Sequence, residues 1–369
     1  MGPDEFRARF PGLATMTHLA SCSQGALSDA VAGALGEFQD ALVEYGNPWH
    51  VWMERVEQAR RRFAAFIGAH DDEVAIVPCA SDGAFQVVSG LSGPTVVSCE
   101  LEFPSVAQVW HAQRDASVRM APLDDRGFAT AEGFASVIDD RTRLVSVPLV
   151  SYRHGQRLPV ADIVATARAH GAQVFVDAYQ ATGVVPVDVR ELDCDYLVSG
   201  ALKYLLGVAG IAFLYVRRGT ARDLDPQLTG WFGRVDPFSF DPTRVDFPAA
   251  ARRYETGTPS VPAAYAAAAG IDLLASLDRD AVHRHVVEIT GRLHAQLADA
   301  GERLGSPAGD DERGPMVALL DDNPEKLAAH LAEHRIVTSP RGSFLRLSVH
   351  YYTDDADVDA VVRAVAAYR

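Results

Sequence analysis

Short apolar runs alternate with helical patterns along the first 220 residues of the chain. In "AQVFVDAYQATG", Val174, Phe175 and Val176 form a run typical of a strand buried on both faces. Similar runs occur in "DEVAIVPCASDGAFQVVSGL", "TVVSCELEFPS", "RLVSVPLVSYRHGQRLPV", "CDYLVSGALKYLLG" and "GIAFLYVRR". "MERVEQARRRFAAFIGA" instead has helical spacing, with Gly68 as its stop. The alternation predicts an α/β fold whose mostly parallel sheet carries helices on both faces.

The second part of the chain has a different pattern. Residues 220–260 are rich in Pro, Gly and aromatic residues, which predicts a long ordered loop region. Beyond 261 helical patterns alternate with the strand-like pieces "PMVALL" and "SFLRLSV", and Thr353 is the predicted N-cap of the last helix. We therefore predict a large domain over 17–260 and a smaller α+β domain over 261–369, with residues 1–16 packing on the small domain.

Composition and charge exclude several classes of partner. The 369 residues include 34 Lys and Arg against 49 Asp and Glu, a formal net charge of −15, which disfavours nucleic-acid binding by bulk electrostatics. No apolar run approaches the roughly 18–20 residues of a membrane span. The N-terminus lacks a secretory pattern, so we expect a cytoplasmic protein with no membrane partner.

The four cysteines, Cys22, Cys79, Cys99 and Cys194, form no CxxC pair, and no metal site is expected. The last three lie in or beside apolar runs, which predicts small buried side chains rather than reactive thiols.

Asp177 and Lys203 both follow buried strands, where open α/β sheets bind ligands. One explanation is a structural ion pair, since a buried carboxylate needs a cationic partner. The other is that both residues hold pyridoxal phosphate, whose aldehyde bonds to a lysine and whose ring nitrogen needs an acid. Gln180 would then lie over the ring hydroxyl, and Ser199 would reach the phosphate.

"DAYQATG" followed by "SGALKYLLG" resembles the pyridoxal phosphate site of the class V aminotransferase superfamily, which includes cysteine desulfurases, kynureninases and isopenicillin N epimerase-like proteins. The resemblance spans roughly residues 17–368 and implies fold type I, with a mainly parallel seven-stranded sheet in the large domain. It makes Lys203 and Asp177 the catalytic residues. Two further motifs imply contacts with the cofactor: Ala80, Ser81 and Asp82 in "CASDGA" bind the phosphate, and Phe103 in "ELEFPS" stacks on the ring. Thr258 in "TGTPS" is implied to reach the phosphate of a neighbouring subunit. Arg346 in "FLRLSV" is implied to bind the substrate α-carboxylate. The motif around Thr258 therefore implies a homodimer with shared sites.

Each of these motifs also has a plain structural explanation. Phe103 is equally expected in a core, Ser81 and Ser199 are common turn and cap residues, and Arg346 is compatible with a surface salt bridge. The resemblance is specific because all of these motifs occur together in the order of the family, whereas any one of them alone is common.

Some features of the sequence indicate which members of the superfamily this chain resembles most. No cysteine follows Cys194, so we do not expect a desulfurase that forms a persulfide on a C-terminal loop. Ala201 and Leu202 stand where several relatives have a histidine, which leaves acid–base work to Lys203. "VSYRHG", "LTGWFG" and "RYETGTP" are similar to kynureninase segments, although Ser151 and Arg234 depart from that pattern near the substrate.

The expected reaction is cleavage of a side-chain bond of an L-amino acid, Cβ–S or Cβ–Cγ, without a catalytic cysteine. The alternative is transamination or epimerisation at Cα. A non-catalytic pyridoxal-binding or nucleotide-binding module would not need Arg346, and a dinucleotide-binding oxidoreductase would need a GxGxxG turn that "PCASDGAFQ" does not supply. The sequence assigns no role to four other residues: His50, Trp231, Arg234 and Arg341.

Overall fold

The computed structural model describes residues 1–220 and 225–369. The helices are α1 (Pro3–Arg7), α2 (Asp29–Tyr45), α3 (Trp49–Phe66), α4 (Ala80–Ser89), α5 (Pro104–Ala112), α6 (Ala131–Ala135), α7 (Val160–Ala169), α8 (Val189–Leu192), α9 (Val261–Ala275), α10 (Arg279–Asp299), α11 (Pro324–Glu333) and α12 (Asp355–Tyr368). The strands are β1 (Thr17–His18), β2 (Val74–Val77), β3 (Thr95–Cys99), β4 (Ser117–Ala121), β5 (Thr142–Pro148), β6 (Gln173–Asp177), β7 (Tyr196–Gly200), β8 (Ala212–Val216), β9 (Met316–Leu320), β10 (Ile336–Val337), β11 (Ser339–Arg341) and β12 (Phe344–Ser348).

The central sheet has seven strands in the order β2-β8-β7-β6-β5-β3-β4. β8 runs antiparallel to both of its neighbours, and the other pairs are parallel. Six strands therefore point the same way and end at one edge, where ligands bind in open α/β sheets. The predicted mainly parallel α/β sheet is confirmed.

Apolar layers cover both faces of this sheet. On one face, Phe175 and Val198 pack with Trp110 of α5 and with side chains of α4. On the other face, Val176 and Leu197 pack with side chains of α3 and α7. Burial on both faces explains why these strands are continuous apolar runs in the sequence.

A smaller antiparallel sheet, β11-β12-β9, lies in the C-terminal part of the chain. The N-terminus reaches this part: β1 pairs with β10, and the ring of Phe10 lies 4.8 Å from the ring of Tyr352. Helix α9 packs against α2 and α3. The domain boundaries at 16/17 and 260/261 stay predictions.

Two local predictions change. The N-cap of α12 is Asp354, whose side chain accepts from the N–H of Asp357, and not Thr353. The hydroxyl of Thr353 is instead used by the N–H of His350. The predicted loop region over 220–260 contains three short 3-10 helices, Trp231–Gly233, Pro237–Ser239 and Ala251–Tyr254, and its residues 221–224 lie outside the described part of the chain.

Within residues 1–220 and 225–369, no single helix is long and apolar enough to cross a membrane. Only α9 and α10 together, bent by 88° at their junction, match a broken span in length and composition. No group of three or more His, Cys, Asp or Glu side chains in the same ranges is placed to hold a metal ion.

Candidate active site

A pocket of about 250 Å³ opens at the carboxyl edge of the central sheet. Its walls follow the ends of β2, β3, β5, β6 and β7, so five separate strands supply it. The lining residues are Cys79, Ala80, Ser81, Leu101, Phe103, Ser105, Pro148, Val150, Tyr152, Asp177, Tyr179, Gln180, Leu202 and Lys203. Six predicted site residues meet here: Ala80, Ser81, Phe103, Asp177, Gln180 and Lys203.

Lys203 projects its amine between two aromatic rings. Its Nζ atom lies 4.3 Å from the centroid of the Tyr179 ring and 5.3 Å from that of Phe103. Desolvation lowers the pKa of Lys203 to about 8; Asp177 opposes this shift, and Arg346 and Arg341 add to it. Among the described residues Lys203 forms no salt bridge, which disfavours a purely structural ion pair with Asp177.

Asp177 is one of two neighbouring buried carboxyls, and it lines the pocket. Its Oδ1 accepts from the N–H of Tyr179 at 2.9 Å, and it is 6% exposed. Burial raises the pKa of Asp177, whereas Lys203 lowers it. The carboxyl keeps a second oxygen for a bound partner, and a cationic partner would hold it ionised.

Glu102 is the second buried carboxyl, and the sequence analysis did not select it. Its Oε1 accepts from the N–H of Phe103 at 2.9 Å, and its Oε2 accepts from the Ser146 hydroxyl at 2.7 Å. Burial, and then the neighbouring Asp177, raise the pKa of Glu102 well above its ordinary value. Because two carboxylates cannot both ionise cheaply in one dry site, Glu102 holds a proton near neutral pH. The only sequence signal for it was a lone acid between apolar residues in "ELEFPS".

The start of α4 forms the part of the pocket that we call the phosphate corner, lined by Cys79, Ala80 and Ser81. The first N–H groups of a helix lack partners within the helix and attract anions. The Ser81 hydroxyl adds a polar group at the same place. The corner therefore has the chemistry that a phosphate requires.

Gln180 adds unused hydrogen-bonding capacity to the pocket wall. Its Nε2 donates to the carbonyl of Cys22 at 3.1 Å, while its Oε1 is buried without a partner among the described residues. Buried polar atoms are normally satisfied, so a bound molecule with a polar substituent suits this position. A lysine, an acid, flat aromatic walls and an anion corner together fit pyridoxal phosphate.

Arg346 lies behind the pocket on β12 and is 1% exposed. It donates from Nε and Nη2 to the carbonyl and hydroxyl of Ser339, at 3.1 and 2.6 Å, and from Nη1 to the carbonyl of Tyr152 at 2.9 Å. All three acceptors are neutral, and no carboxylate of the described residues pairs with it. A buried cation without a counter-charge suits an anionic ligand. Its burial excludes the surface salt bridge that the sequence had left open.

Besides Arg346, four predicted site residues do not line the pocket. The Asp82 carboxylate accepts from the Cys79 thiol at 2.8 Å, and the Ser151 hydroxyl accepts from the N–H of Arg153 at 3.2 Å. Thr258 lines a different cavity, together with Pro78 and Phe232. Ser199 is buried, and its hydroxyl has no partner among the described residues. Their predicted roles are not tested by these contacts.

Cys79 corrects one prediction. The sequence predicted a small buried side chain, whereas Cys79 is exposed and lines the pocket. It follows the end of β2 directly and precedes α4, and this strand-end position carries it out of the apolar layer. Cys99 and Cys194 are buried, as predicted. Tyr179 is a further pocket residue that the sequence analysis passed over, although it lies inside the quoted "DAYQ".

The strand-end lysine and acid, with an anion corner beside them, define a pyridoxal-phosphate enzyme built on an α/β sheet. The family described as Aminotransferase class-V matches residues 47–361, and the chain belongs to this family. It is a pyridoxal-phosphate-dependent enzyme, and pyridoxal phosphate is its cofactor.

Relatives carry two kinds of name. YcbU of Bacillus subtilis (strain 168), an uncharacterized aminotransferase, is 38% identical over 368 residues, which cover 99% of this chain and 98% of that protein. A probable cysteine desulfurase of Halobacterium salinarum is 29% identical over 84% of this chain and 80% of its own length.

Solved structures share the fold. The apo cysteine desulfurase of Thermococcus onnurineus NA1 superposes with a TM-score of 0.88 at 21% identity, covering 100% of this chain and 98% of that one. The cystine C–S lyase C-DES, in complex with its product cysteine persulfide, superposes with a TM-score of 0.88 at 22% identity, covering 97% and 99% of the two chains. At these identities the likeness supports the fold, and the predicted fold type I is confirmed.

Proposed function

We propose that this enzyme cleaves a side-chain bond of an L-amino acid, Cβ–S in the first place and Cβ–Cγ in the second, without a catalytic cysteine. The observation that carries the proposal is the Lys203 amine, held in an apolar pocket with a pKa of about 8. Such an amine is near the protonation state that a general base needs at neutral pH. The relatives named as cysteine desulfurases favour a sulfur-containing substrate.

The first chemical task falls to Lys203. Pyridoxal phosphate, when bound, supplies an electron sink that makes the Cα proton of an amino acid acidic. The free Lys203 amine would take that proton on Nζ. The electron pair left at Cα then forms a bond to Cβ, and the Cβ–S bond breaks with its electrons going to sulfur. The ammonium of Lys203 can return its proton to the departing sulfur.

Arg346 supplies the counter-charge for the substrate carboxylate. Its guanidinium is buried, and it contacts only neutral acceptors in the described part of the chain. An arginine–carboxylate fork fixes orientation as well as charge. Orientation decides the reaction, because the bond to be broken must be held at the right angle to the cofactor ring.

Asp177 has the complementary task of keeping a proton on the pyridine nitrogen. Burial and the adjacent Glu102 disfavour its charge in the absence of a cation. Asp177 would be the residue that holds the ring nitrogen of the bound cofactor, and a protonated nitrogen there would keep its carboxylate ionised. Because Glu102 is neutral near pH 7, it does not compete for the same proton.

The remaining wall of the pocket is apolar and excludes water from the reacting bonds. Leu101, Val150 and the ring of Phe103 line it. Phe103 packs edge-on against Tyr152, with ring centroids 5.0 Å apart. An apolar wall suits an uncharged sulfur or carbon substituent of the substrate better than a second carboxylate.

Transamination is the second candidate, and a specific observation favours it. The 38% identical relative in Bacillus subtilis carries the name aminotransferase. A transaminase would use the same lysine, acid and arginine, and in it Lys203 would move the Cα proton without a substituent leaving Cβ. The reaction needs a keto acid to regenerate the starting cofactor, whereas side-chain cleavage does not.

A second copy of the chain is the proposed partner. Phe238 and Phe240 are 52% and 71% exposed, and both pack against Trp231. Trp231 contacts Phe232, which lines the same cavity as Thr258. An exposed aromatic patch of this kind marks an interaction surface. Its continuity with the Thr258 loop supports a homodimer in which that loop faces the partner's site.

The experiment is a product analysis on protein loaded with pyridoxal phosphate. The protein is incubated with a panel of sulfur-containing and aromatic L-amino acids, and released sulfide, alanine, pyruvate and ammonia are measured with and without an added keto acid. We expect multiple turnovers without the keto acid. The Lys203→Ala variant, in the same assay, should show none. Strict dependence of turnover on the keto acid would establish transamination in place of side-chain cleavage.

A further inference from the structure

The end of the Tyr179 side chain fills the space that a side chain at position 200 would otherwise take. A Cβ atom built on Gly200 would lie 1.9 Å from the Tyr179 hydroxyl oxygen and 2.0 Å from its Cζ. No side chain fits at position 200 while Tyr179 keeps its place. The tyrosine hydroxyl therefore lies where the first side-chain atom of the last residue of β7 would otherwise be.

This place is on the face of the sheet that carries α4. Side chains of a strand alternate between faces, so Val198 and Gly200 share one face and Ser199 points to the other. A Cβ atom on Gly83 of α4 would lie 3.3 Å from Val198, so the second turn of α4 packs over Val198. The first residues of α4 therefore lie further along the same face, towards Gly200 and the Tyr179 hydroxyl. Tyr179 lines the pocket together with Cys79, Ala80 and Ser81.

We propose that the Tyr179 hydroxyl, and not Ser199, is the side-chain donor that the end of β7 presents to the cofactor phosphate. Ser199 faces the layer opposite α4, and its hydroxyl is buried without a partner among the described residues. The Tyr179 hydroxyl, in contrast, lies against Gly200 on the face that carries α4, and Tyr179 shares the pocket with the residues of the phosphate corner.

The protonation state of Tyr179 suits this role. Desolvation, followed by Asp177 and Cys79, raises its pKa above the ordinary value for a phenol. The group is a hydrogen-bond donor throughout the neutral range, and a phosphate dianion offers only acceptors. The inference rests on the cofactor and does not depend on which reaction the enzyme catalyses.

The test compares two ligands of the apoprotein, pyridoxal phosphate and pyridoxal, which differ only by the phosphate. The dissociation constant of pyridoxal divided by that of pyridoxal phosphate measures the phosphate contribution to binding. Tyr179→Phe removes only the hydroxyl and keeps the ring beside Lys203. We expect this ratio to fall by about 10- to 100-fold, as for a lost hydrogen bond to a charged group. The affinity for pyridoxal should stay within about threefold of the wild-type value.

Two further variants make the result specific. Tyr152→Phe removes a hydroxyl from another residue that lines the same pocket and should leave the ratio unchanged. Ser199→Ala tests the competing assignment and should also leave it unchanged. An unchanged ratio in Tyr179→Phe, or a collapse of the ratio in Ser199→Ala, would overturn the assignment.

A double variant that moves the hydroxyl from position 179 to position 200 keeps the test valid even if loss of the phenol perturbs the pocket. Tyr179→Ala empties the space above Gly200, and adding Gly200→Ser places a new hydroxyl close to the old one. We expect the double variant to recover most of the phosphate contribution that Tyr179→Ala loses. No recovery in a folded double variant that still binds pyridoxal would count against a phosphate contact at this position.

Discussion

The amine of Lys203 lies 4.3 Å from the centroid of the Tyr179 ring, in a pocket where the described residues give it no salt-bridge partner. The ring face attracts a cation weakly, but it does not replace the water that burial removes. The amine is therefore easier to deprotonate than an exposed lysine, and this has a kinetic consequence for the apoprotein.

Cofactor uptake should follow the deprotonation of Lys203. Only the neutral amine attacks the cofactor aldehyde, and with a pKa of about 8 the neutral fraction rises steeply just above neutral pH. We expect the rate constant of uptake, followed by cofactor absorbance in the stopped flow, to rise about tenfold between pH 7 and pH 9 and then level off. The reference is the reaction of the same cofactor with a small lysine derivative, because titration of the cofactor affects both reactions alike. The rate of this reference reaction should keep rising past pH 10. Parallel profiles for the two amines would contradict the lowered pKa.

Glu102 should make the apoprotein less stable as pH rises. The folded protein keeps a proton on this buried carboxyl, whereas the unfolded chain releases it above about pH 4. The folded state then binds more protons, so the free energy of unfolding falls towards neutral pH, by an amount on the order of a few kcal/mol. Glu102→Gln should flatten this slope in denaturant titrations. Glu333→Gln, at the exposed end of α11, is the matched control. An equal slope in Glu102→Gln and wild type would contradict the assignment.

Arg346 should govern substrate affinity. Arg346→Ala removes the buried cation, and we expect KM to rise steeply and kcat/KM to lose about 3–5 kcal/mol of transition-state stabilisation. Arg346→Lys keeps the charge without the fork and should fall between wild type and Arg346→Ala. Cofactor absorbance and melting temperature show whether the pocket survives the change. A normal KM in a folded, loaded Arg346→Ala protein would remove this residue from substrate binding.

The thiols of Cys79 and Cys22 should be dispensable. Cys79→Ser keeps a hydroxyl that can still donate to Asp82, as the thiol does at 2.8 Å. Cys22 is buried near Lys203 and contributes its backbone carbonyl to Gln180, a contact that Cys22→Ser retains. Each variant should keep more than about half of the wild-type activity, because the proposed cleavage reaction uses no thiol. Complete loss of activity in either variant, together with a persulfide on the wild-type protein after turnover, would show a cysteine-dependent reaction.

The exposed aromatic patch should hold the proposed dimer together. Phe238→Ser combined with Phe240→Ser removes the two most exposed rings around Trp231, and it should shift the protein towards monomer in light scattering. Val337→Ser changes a 39% exposed residue on β10 and should leave the mass unchanged. A wild-type protein that is monomeric and fully active at assay concentration would exclude shared sites.

The sequence was enough for the sheet and for the residues at its strand ends. Strands buried on both faces leave continuous apolar runs, and Asp177 and Lys203 stand out because charges rarely follow such runs. Their convergence in one pocket follows from the parallel arrangement of β6 and β7.

Other features depend on relations that a linear pattern does not carry. Strand alternation decides that Ser199 faces away from α4, but the exact end of β7 was needed to apply it. The raised pKa of Glu102 arises from burial and from the neighbouring Asp177, which is 75 positions away in the chain (177 − 102). Cys79 is exposed because β2 ends two residues earlier, and strand ends are the least certain part of a sequence-based prediction.

The contact between Tyr179 and Gly200 also restricts how these two positions can change during evolution. A side chain at 200 is compatible only with a small residue at 179, since the two compete for one volume. A single substitution at 200 would therefore be harmful here, whereas paired substitutions could pass the hydroxyl from one strand end to the other. We expect positions 179 and 200 to covary among homologues: tyrosine with glycine in some lineages, and a small residue with serine or threonine in others. A lineage that carries bulky residues at both positions would need a different backbone at the end of β7.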